Sequence, residues 1–159
     1  MHITIPGRGK FDLHHLVLDV NGTVAIGGRL IGGLPRRLQA LREAGLEIHW
    51  ITADTRGRQS ALDDEMGWPA ERITAAEPGD EPAQKAAFVR KLGAGHVVAI
   101  GNGANDVAML REAALGIALL GDEGLAVEAL LAADLVVPGI HAALDLLEDP
   151  SRLIATLRR

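Results

Sequence analysis

Residues 16–23 read Leu16-Val17-Leu18-Asp19-Val20-Asn21-Gly22-Thr23, and the fold turns on how this stretch continues. Three apolar residues stop at a carboxylate, Asp19, and a turn-forming Asn21-Gly22 pair follows. Two readings compete. Asn-Gly between apolar segments is a strong hairpin signal, which would make this the first arm of an antiparallel pair. In a parallel α/β sheet, ligands bind beyond the carboxyl ends of the strands, and an Asp placed there is a candidate nucleophile.

The chain on either side favours the parallel reading. Residues 24–26 and 29–31 can form a small flap around Gly27-Gly28, within a segment 24–33. Pro35 suits a first helical position, Leu34, Leu38 and Leu41 recur at helical spacing, and Gly45 ends that helix. A strand is expected over 46–52. Asp54 or Thr55 then caps a helix running to Met66, with Gly67 as its stop. A short strand at 71–75 and a turn-rich loop at 77–82 lead into a helix with Ala86, Phe88, Val89 and Leu92 on its inner side. Strands at 97–101, 115–120 and 135–137 alternate with helices at 106–114 and 124–132, and two short helices, 140–147 and 151–158, close the chain. Strands that alternate with helices, and that are continuously apolar, predict an α/β fold. Its core is a three-layer, doubly wound, mainly parallel sheet with helices on both faces. Residues 1–12 read as a lead-in with a turn at Pro6-Gly7. His14 and His15 are neighbours on a strand, so they point to opposite faces and make poor joint ligands.

A chain of 159 residues suits a single domain, 1–159. Its 48% hydrophobic content supports a real core, and with only 3% aromatic residues that core must be aliphatic. Trp50 and Trp68 read as packing residues. A net charge of −5 argues against a nucleic-acid partner, and an anionic substrate would need local cationic help. The absence of Cys excludes disulfides, thiolate metal sites and Cys nucleophiles. No apolar run approaches the ~20 residues of a membrane span, and residues 1–10 lack the apolar core of a signal peptide. The expectation is a cytoplasmic protein with no membrane partner.

In a parallel sheet the loops after the first, second and fourth core strands open on one edge. They carry Asp19, Asn21 and Thr23, then Thr52, Ala53 and Asp54, then Asn102, Asn105 and Asp106. Lys85 lies near the start of the helix after the third strand, where it opposes the helix dipole unless an anion is close. Each residue also has a plain structural reading. Lys85 could be a solvated surface lysine. Thr52, Asp54 and Asp106 could be helix caps, and Asn105 a loop residue at a helix start. Together the groups match what phosphoryl transfer needs. A carboxylate attacks phosphorus, a hydroxyl and an ammonium hold the phosphoryl oxygens, and a hard cation sits in an oxygen-rich cage that magnesium fits.

Asp19-Val-Asn-Gly-Thr23, Thr52, Lys85 and Gly101-Asn-Gly-Ala-Asn-Asp106 resemble the four ordered motifs of the haloacid-dehalogenase-like superfamily. Within it, the likeness is to the phosphorylation domain of P-type ATPases, as a soluble, stand-alone member. Their Asp-Lys-Thr-Gly-Thr is similar to 19–23, their Thr-Gly-Asp to 52–54, and their Gly-Asp-Gly-x-Asn-Asp-x-Pro-Ala-Leu to 101–110. The resemblance implies a magnesium-dependent phosphatase acting through an aspartyl-phosphate on Asp19. Asn21, Thr52 and Lys85 would complete the catalytic set. Thr23, Thr52, Ala53, Lys85 and Asn105 would bind phosphate, and Asp19, Asn21, Asn102 and Asp106 would hold the metal. Thirty-three residues separate Asp19 from Thr52, and again Thr52 from Lys85, which leaves no room in either gap for the cap domain many relatives insert. An open site invites a roof from a second copy, as a dimer or tetramer.

Three departures stand out. Asn21 occupies the position of the family's general acid/base Asp and can neither give nor take the proton. That loss is typically worth ~10²–10⁴ in rate, so phosphoenzyme breakdown is expected to be slow. Asn102 stands where a metal-binding Asp is frequent, so metal affinity should fall. No large nucleotide-binding insertion is present, which argues against an ATPase. The alternative is a weak or inactive relic that binds phosphate or acts through partners. For an active enzyme the substrate is a small phosphate ester or a phosphoprotein. A two-component receiver fails on layout, since its acceptor Asp belongs to the third strand. A dinucleotide site at Gly101-x-Gly103 fails because Asp106 stands where a third Gly is needed.

Overall fold

The computed structural model describes residues 1–52, 59–73 and 80–159. The expected lead-in is an antiparallel hairpin, β1 (His2–Ile5) with β2 (Gly9–Asp12), in which Ile5 faces Gly9. Its signal was the period-two pattern His2-Ile3-Thr4-Ile5, which buries Ile3 and Ile5 and exposes His2 and Thr4. β3 (His15–Asp19) then runs through the centre of the molecule.

Asn21-Gly22 is not a hairpin tip. The N–H groups of Val24 and Ala25 both bond back to the Val20 carbonyl at 3.0 Å, and this tight turn ends β3 without reversing into a paired strand. β4 (Ala25–Ile26) and β5 (Arg29–Leu30) form the small flap expected around Gly27-Gly28. α1 (Leu34–Glu43) follows, with Pro35 in its first turn and Leu34, Leu38 and Leu41 buried.

β6 (Glu47–Thr52) lies parallel to β3. α2 (Gln59–Met66), β7 (Glu71–Arg72) and α3 (Glu81–Lys91) come next. The expected helix cap at Asp54 or Thr55, residues 74 and 75 of the expected 71–75 strand and residues 77–79 of the 77–82 loop lie outside the described residues, while Ile73 is buried just after β7 and α3 already begins at Glu81. β8 (Val97–Gly101) returns to the other side of β3, and α4 (Val107–Glu112) follows a single 3₁₀ turn, Ala104–Asp106. β9 (Leu115–Leu119), α5 (Val127–Ala132), β10 (Leu135–Val137), α6 (Ile140–Glu148) and α7 (Pro150–Leu157) complete the chain.

Among the described residues the main sheet has six strands in the order β10-β9-β8-β3-β6-β7, all parallel. Alternation along β3 and β6 divides the core. Leu16, Leu18, Ile48 and Trp50 pack with α1, α2, α6 and α7, while Val17 and Ile51 pack with α3, α4 and α5. Both faces are covered, so β3, β8 and β9 are apolar and buried almost throughout. The chain winds outward from β3 to β7 and then restarts at β8 on the other side. The switch point is therefore the crevice beyond the carboxyl ends of β3 and β8, where open α/β sheets bind ligands. Among the described residues no helix is long and apolar enough to cross a membrane.

Candidate active site

Parallel register brings the polar strand ends together. Leu18 pairs with Ile100 and Asp19 with Ile51, so Asp19 closes β3 beside Gly101 on one flank and one residue short of Thr52 on the other. Asp19 is 5% exposed, and Thr52 is buried at the end of β6. Lys85 reaches this edge from α3. It is fully buried, which disposes of the solvated-lysine reading. Its position also differs from expectation. α3 starts at Glu81, so Lys85 lies past the first turn and is balanced by side chains rather than set against the helix dipole.

The Lys85 ammonium donates to Asp19 Oδ1 at 2.6 Å and to Asp106 Oδ1 at 2.8 Å, and Glu81 Oε1 lies 3.1 Å away. Burial alone would push this ammonium towards neutrality, but Asp19 and Asp106 more than reverse that and raise its pKa. Asp19 moves the other way from a typical carboxylate. Burial and the nearby Asp106 charge push it up to about 7 against the pull of Lys85. One cation thus serves two buried carboxylates and a third, half-buried one.

Asp106 does not cap α4 with its side chain. Its Oδ2 instead accepts the N–H groups of Asn102 and Gly103, both at 2.9 Å, which locks the 102–106 loop over the end of β8. Gly101 is required beneath it, because a Cβ there would collide with the Asp106 carboxylate. Across the crevice, Thr23 Oγ1 lies 3.5 Å from Asn102 Oδ1, and Asn102 Nδ2 donates to the Gly124 carbonyl at 3.1 Å. Gly22, at φ 77, lets the turn after β3 press against Asn102, where a Cβ would fall 2.5 Å from Nδ2. Asn21 is exposed on the same turn.

Asp19, Thr23, Thr52, Lys85, Asn102 and Asp106 are therefore all buried around one crevice, with Asn21 and the half-buried Asn105 at its rim. Ala53 and Asp54 lie outside the described residues. Sequence reading missed Glu81. It holds Lys85 and also accepts from Asn105 Nδ2 at 2.9 Å, so it links α3 to the 102–106 loop. Its signal was the four-residue spacing to Lys85 on one helix.

The donor set also bears on a metal. The carboxylates of Asp19 and Asp106 and the carbonyl oxygens of Asn21 and Asn102 are hard oxygen donors, and the buried charge is net negative around Lys85. Oxygen ligands with uncompensated negative charge fit a magnesium-type cation.

A profile of haloacid dehalogenase-like hydrolases matches residues 4–114. An uncharacterized protein of Methanocaldococcus jannaschii is 50% identical over 62 residues, covering 39% of this chain and 67% of that protein. The silver exporting P-type ATPase of Salmonella typhimurium is 35% identical over 122 residues, covering 73% of this chain but only 14% of the transporter. Among solved structures, the 3-deoxy-D-manno-octulosonate 8-phosphate phosphatase of Moraxella catarrhalis, crystallised with magnesium and phosphate ions, superposes with a TM-score of 0.67. It is 18% identical and covers 92% of this chain and 94% of its own, a likeness of fold.

Proposed function

The chain belongs to the haloacid dehalogenase-like hydrolase family, and we propose that it acts as a magnesium-dependent phosphatase that passes through an aspartyl-phosphate on Asp19. One observation carries this reading: a fully buried Lys85 held between Asp19 and Asp106 at the switch point of the sheet. A buried lysine shared by carboxylates is costly as a stabilising device, since hydrophobic replacements of such groups are often neutral or better. It is well suited to holding a nucleophile ionised and meeting an incoming phosphoryl group.

In the first step an Asp19 carboxylate oxygen attacks phosphorus. The new O–P bond forms as the bond to the leaving oxygen breaks, and that oxygen takes its proton from solvent because Asn21 has none to give. In the second step water attacks the phosphorus, the Asp19–phosphorus bond breaks, and the water's proton is lost to solvent. Lys85, Thr52, Thr23, Asn105 and Ala53 are the residues we assign to the phosphoryl oxygens. A magnesium ion held by Asp19, Asp106, Asn21 and Asn102 would supply further neutralisation of phosphoryl charge. Asp106 keeps its loop in place through the two N–H bonds to Oδ2 while Oδ1 orients Lys85.

Incubation with acetyl phosphate and magnesium, followed by acid quench, is expected to trap a phosphoenzyme that depends on Asp19. Failure to trap one across several phosphoryl donors would overturn the proposal. It would also favour the alternative of a phosphate-binding protein without turnover, which rests on Asn21 and Asn102.

Asn21→Asp is expected to raise turnover of an aryl phosphate by about tenfold or more, because it restores a proton-transfer group near the nucleophile. An unchanged steady-state rate would show that proton transfer is not limiting. The link from β3 to β6 holds only the β4–β5 flap and α1, so no cap stands at that insertion point. We therefore assign small phosphate esters or a phosphoprotein as substrates. A hydrolysis screen over phosphorylated metabolites and phosphoproteins separates the two, and repeating it without magnesium tests the metal.

A further inference from the structure

Five of the six histidines lie at the opposite, amino edge of the same sheet, and nothing in phosphoryl transfer uses them. His15 opens β3 and Glu47 opens β6, and the two are register partners. His49 is two residues along β6, so its side chain shares a face with that of Glu47. His14 precedes β3, with its ring stacked on that of His96 at 4.8 Å. The partner of His15 comes instead from the adjacent strand.

The distances among these three groups are informative. His15 Nδ1 lies 3.4 Å from Glu47 Oε2 and 3.4 Å from His49 Nε2, and His49 Nε2 lies 4.0 Å from Glu47 Oε2. Hydrogen bonds centre near 2.9 Å, so these contacts are long for direct pairing. The two 3.4 Å separations suit atoms that share an ion, and the exposed Glu47 carboxylate is free to close the third. Zinc–nitrogen and zinc–oxygen bonds of about 2.0–2.2 Å place tetrahedral ligand atoms roughly 3.3–3.6 Å apart. His15 and His49 are largely enclosed, and the His49 ring sits edge-on to Phe88 at 5.5 Å. Glu47 is exposed and leaves the fourth position open to water.

We propose that His15, Glu47 and His49 form a site for a zinc-class divalent cation that ties β3 to β6. Two imidazoles and a carboxylate select a borderline transition metal over magnesium or calcium. His15 and Asp19 are four residues apart along β3, about 13 Å at the usual rise, so the cation is separate from the phosphoryl site. Its role is to fasten the two strands that carry Asp19 and Thr52. The nearby group of His2, Asp12, His14 and His96 differs. His2 Nδ1 and His14 Nε2 each lie 2.8 Å from the same Asp12 oxygen, which is hydrogen-bonding distance. That cluster serves as an internal control.

The test is a zinc titration of chelator-stripped full-length protein against a chromophoric competitor, with cobalt substitution read by its visible ligand-field bands. The parent is expected to bind one zinc at this site and to gain thermal stability from it. Glu47→Gln and His49→Gln should each weaken binding by at least about tenfold, the order of loss seen when even a ligand's supporting partner is removed. Glu47→Gln replaces an exposed side chain, so its metal-free melting point and its phosphatase activity should match the parent's. His14→Gln and Asp19→Asn should keep the zinc. Binding that survives both Glu47→Gln and His49→Gln, that is lost instead in His14→Gln or Asp19→Asn, or that is absent from the parent would overturn the proposal.

Discussion

Lys85→Met is expected to destabilise the metal-free protein by about 3–5 kcal/mol at pH 8, the usual cost of stranding buried charge by removing one partner. Methionine keeps most of the volume of the lysine stem, so packing is largely preserved and the effect reports on charge. Asp19 and Asp106 would then face each other with no cation between them, and both are buried. Asp19, already pushed up by burial, would lose the opposing pull of Lys85 and take up a proton in the folded state at a pH where the unfolded chain stays ionised. With more protons bound folded than unfolded, stability rises as pH falls towards about 4. The deficit against the parent should therefore shrink between pH 8 and pH 5. Urea melts at the two pH values check this. A deficit below about 1 kcal/mol at pH 8 would mean that Lys85 does not neutralise the pair. The same variant should form no phosphoenzyme.

Asp19→Asn should abolish the phosphoenzyme while making the metal-free protein more stable. The sign follows from the raised acidity constant. Folding lifts Asp19 from 3.8 to about 7, through burial first and the Asp106 charge second. The folded state binds the extra proton between those values, so the parent loses stability as pH climbs from about 4 to about 7. Asparagine has no such loss, and it leaves Lys85 paired with Asp106 and Glu81. A gain of about 1–3 kcal/mol above pH 7 is expected, or roughly 2–12 °C in melting temperature for a chain of this size, vanishing near pH 4. Magnesium should stabilise the parent and do little for the variant, because the cation loses a charged ligand. Calorimetry with and without magnesium tests both halves. A variant less stable than the parent at pH 8 without metal would show that Asp19 contributes to folding rather than being strained for chemistry.

The flap and the strand ends that bear the site were legible because their signals are local. Leu16-Val17-Leu18 stopping at Asp19, Val97–Gly101 stopping at Asn102, and Gly27-Gly28 between short apolar pairs each announce an element and its end. The β1–β2 hairpin was missed because four alternating residues are too short a run to separate a strand from a tail until something buries Ile3 and Ile5. The 3₁₀ turn at Ala104–Asp106 was missed because the Asp106 carboxylate reaches backward to the loop and not forward to α4. A carboxylate at a helix start looks the same in sequence either way.

The sequence by itself determined which residues could do chemistry and that they would stand at the ends of parallel strands, because strand period and turn composition are properties of neighbouring residues. Only the tertiary structure decided the state of those groups. Lys85 became a shared, buried counter-ion, Asp19 became a reluctant carboxylate, and Glu81 joined them, through contacts between positions up to 66 residues apart. It also decided the pairing of His15 with Glu47 and His49. The register of two parallel strands sets which side chains share a face, and that register is fixed by the packing of the whole sheet.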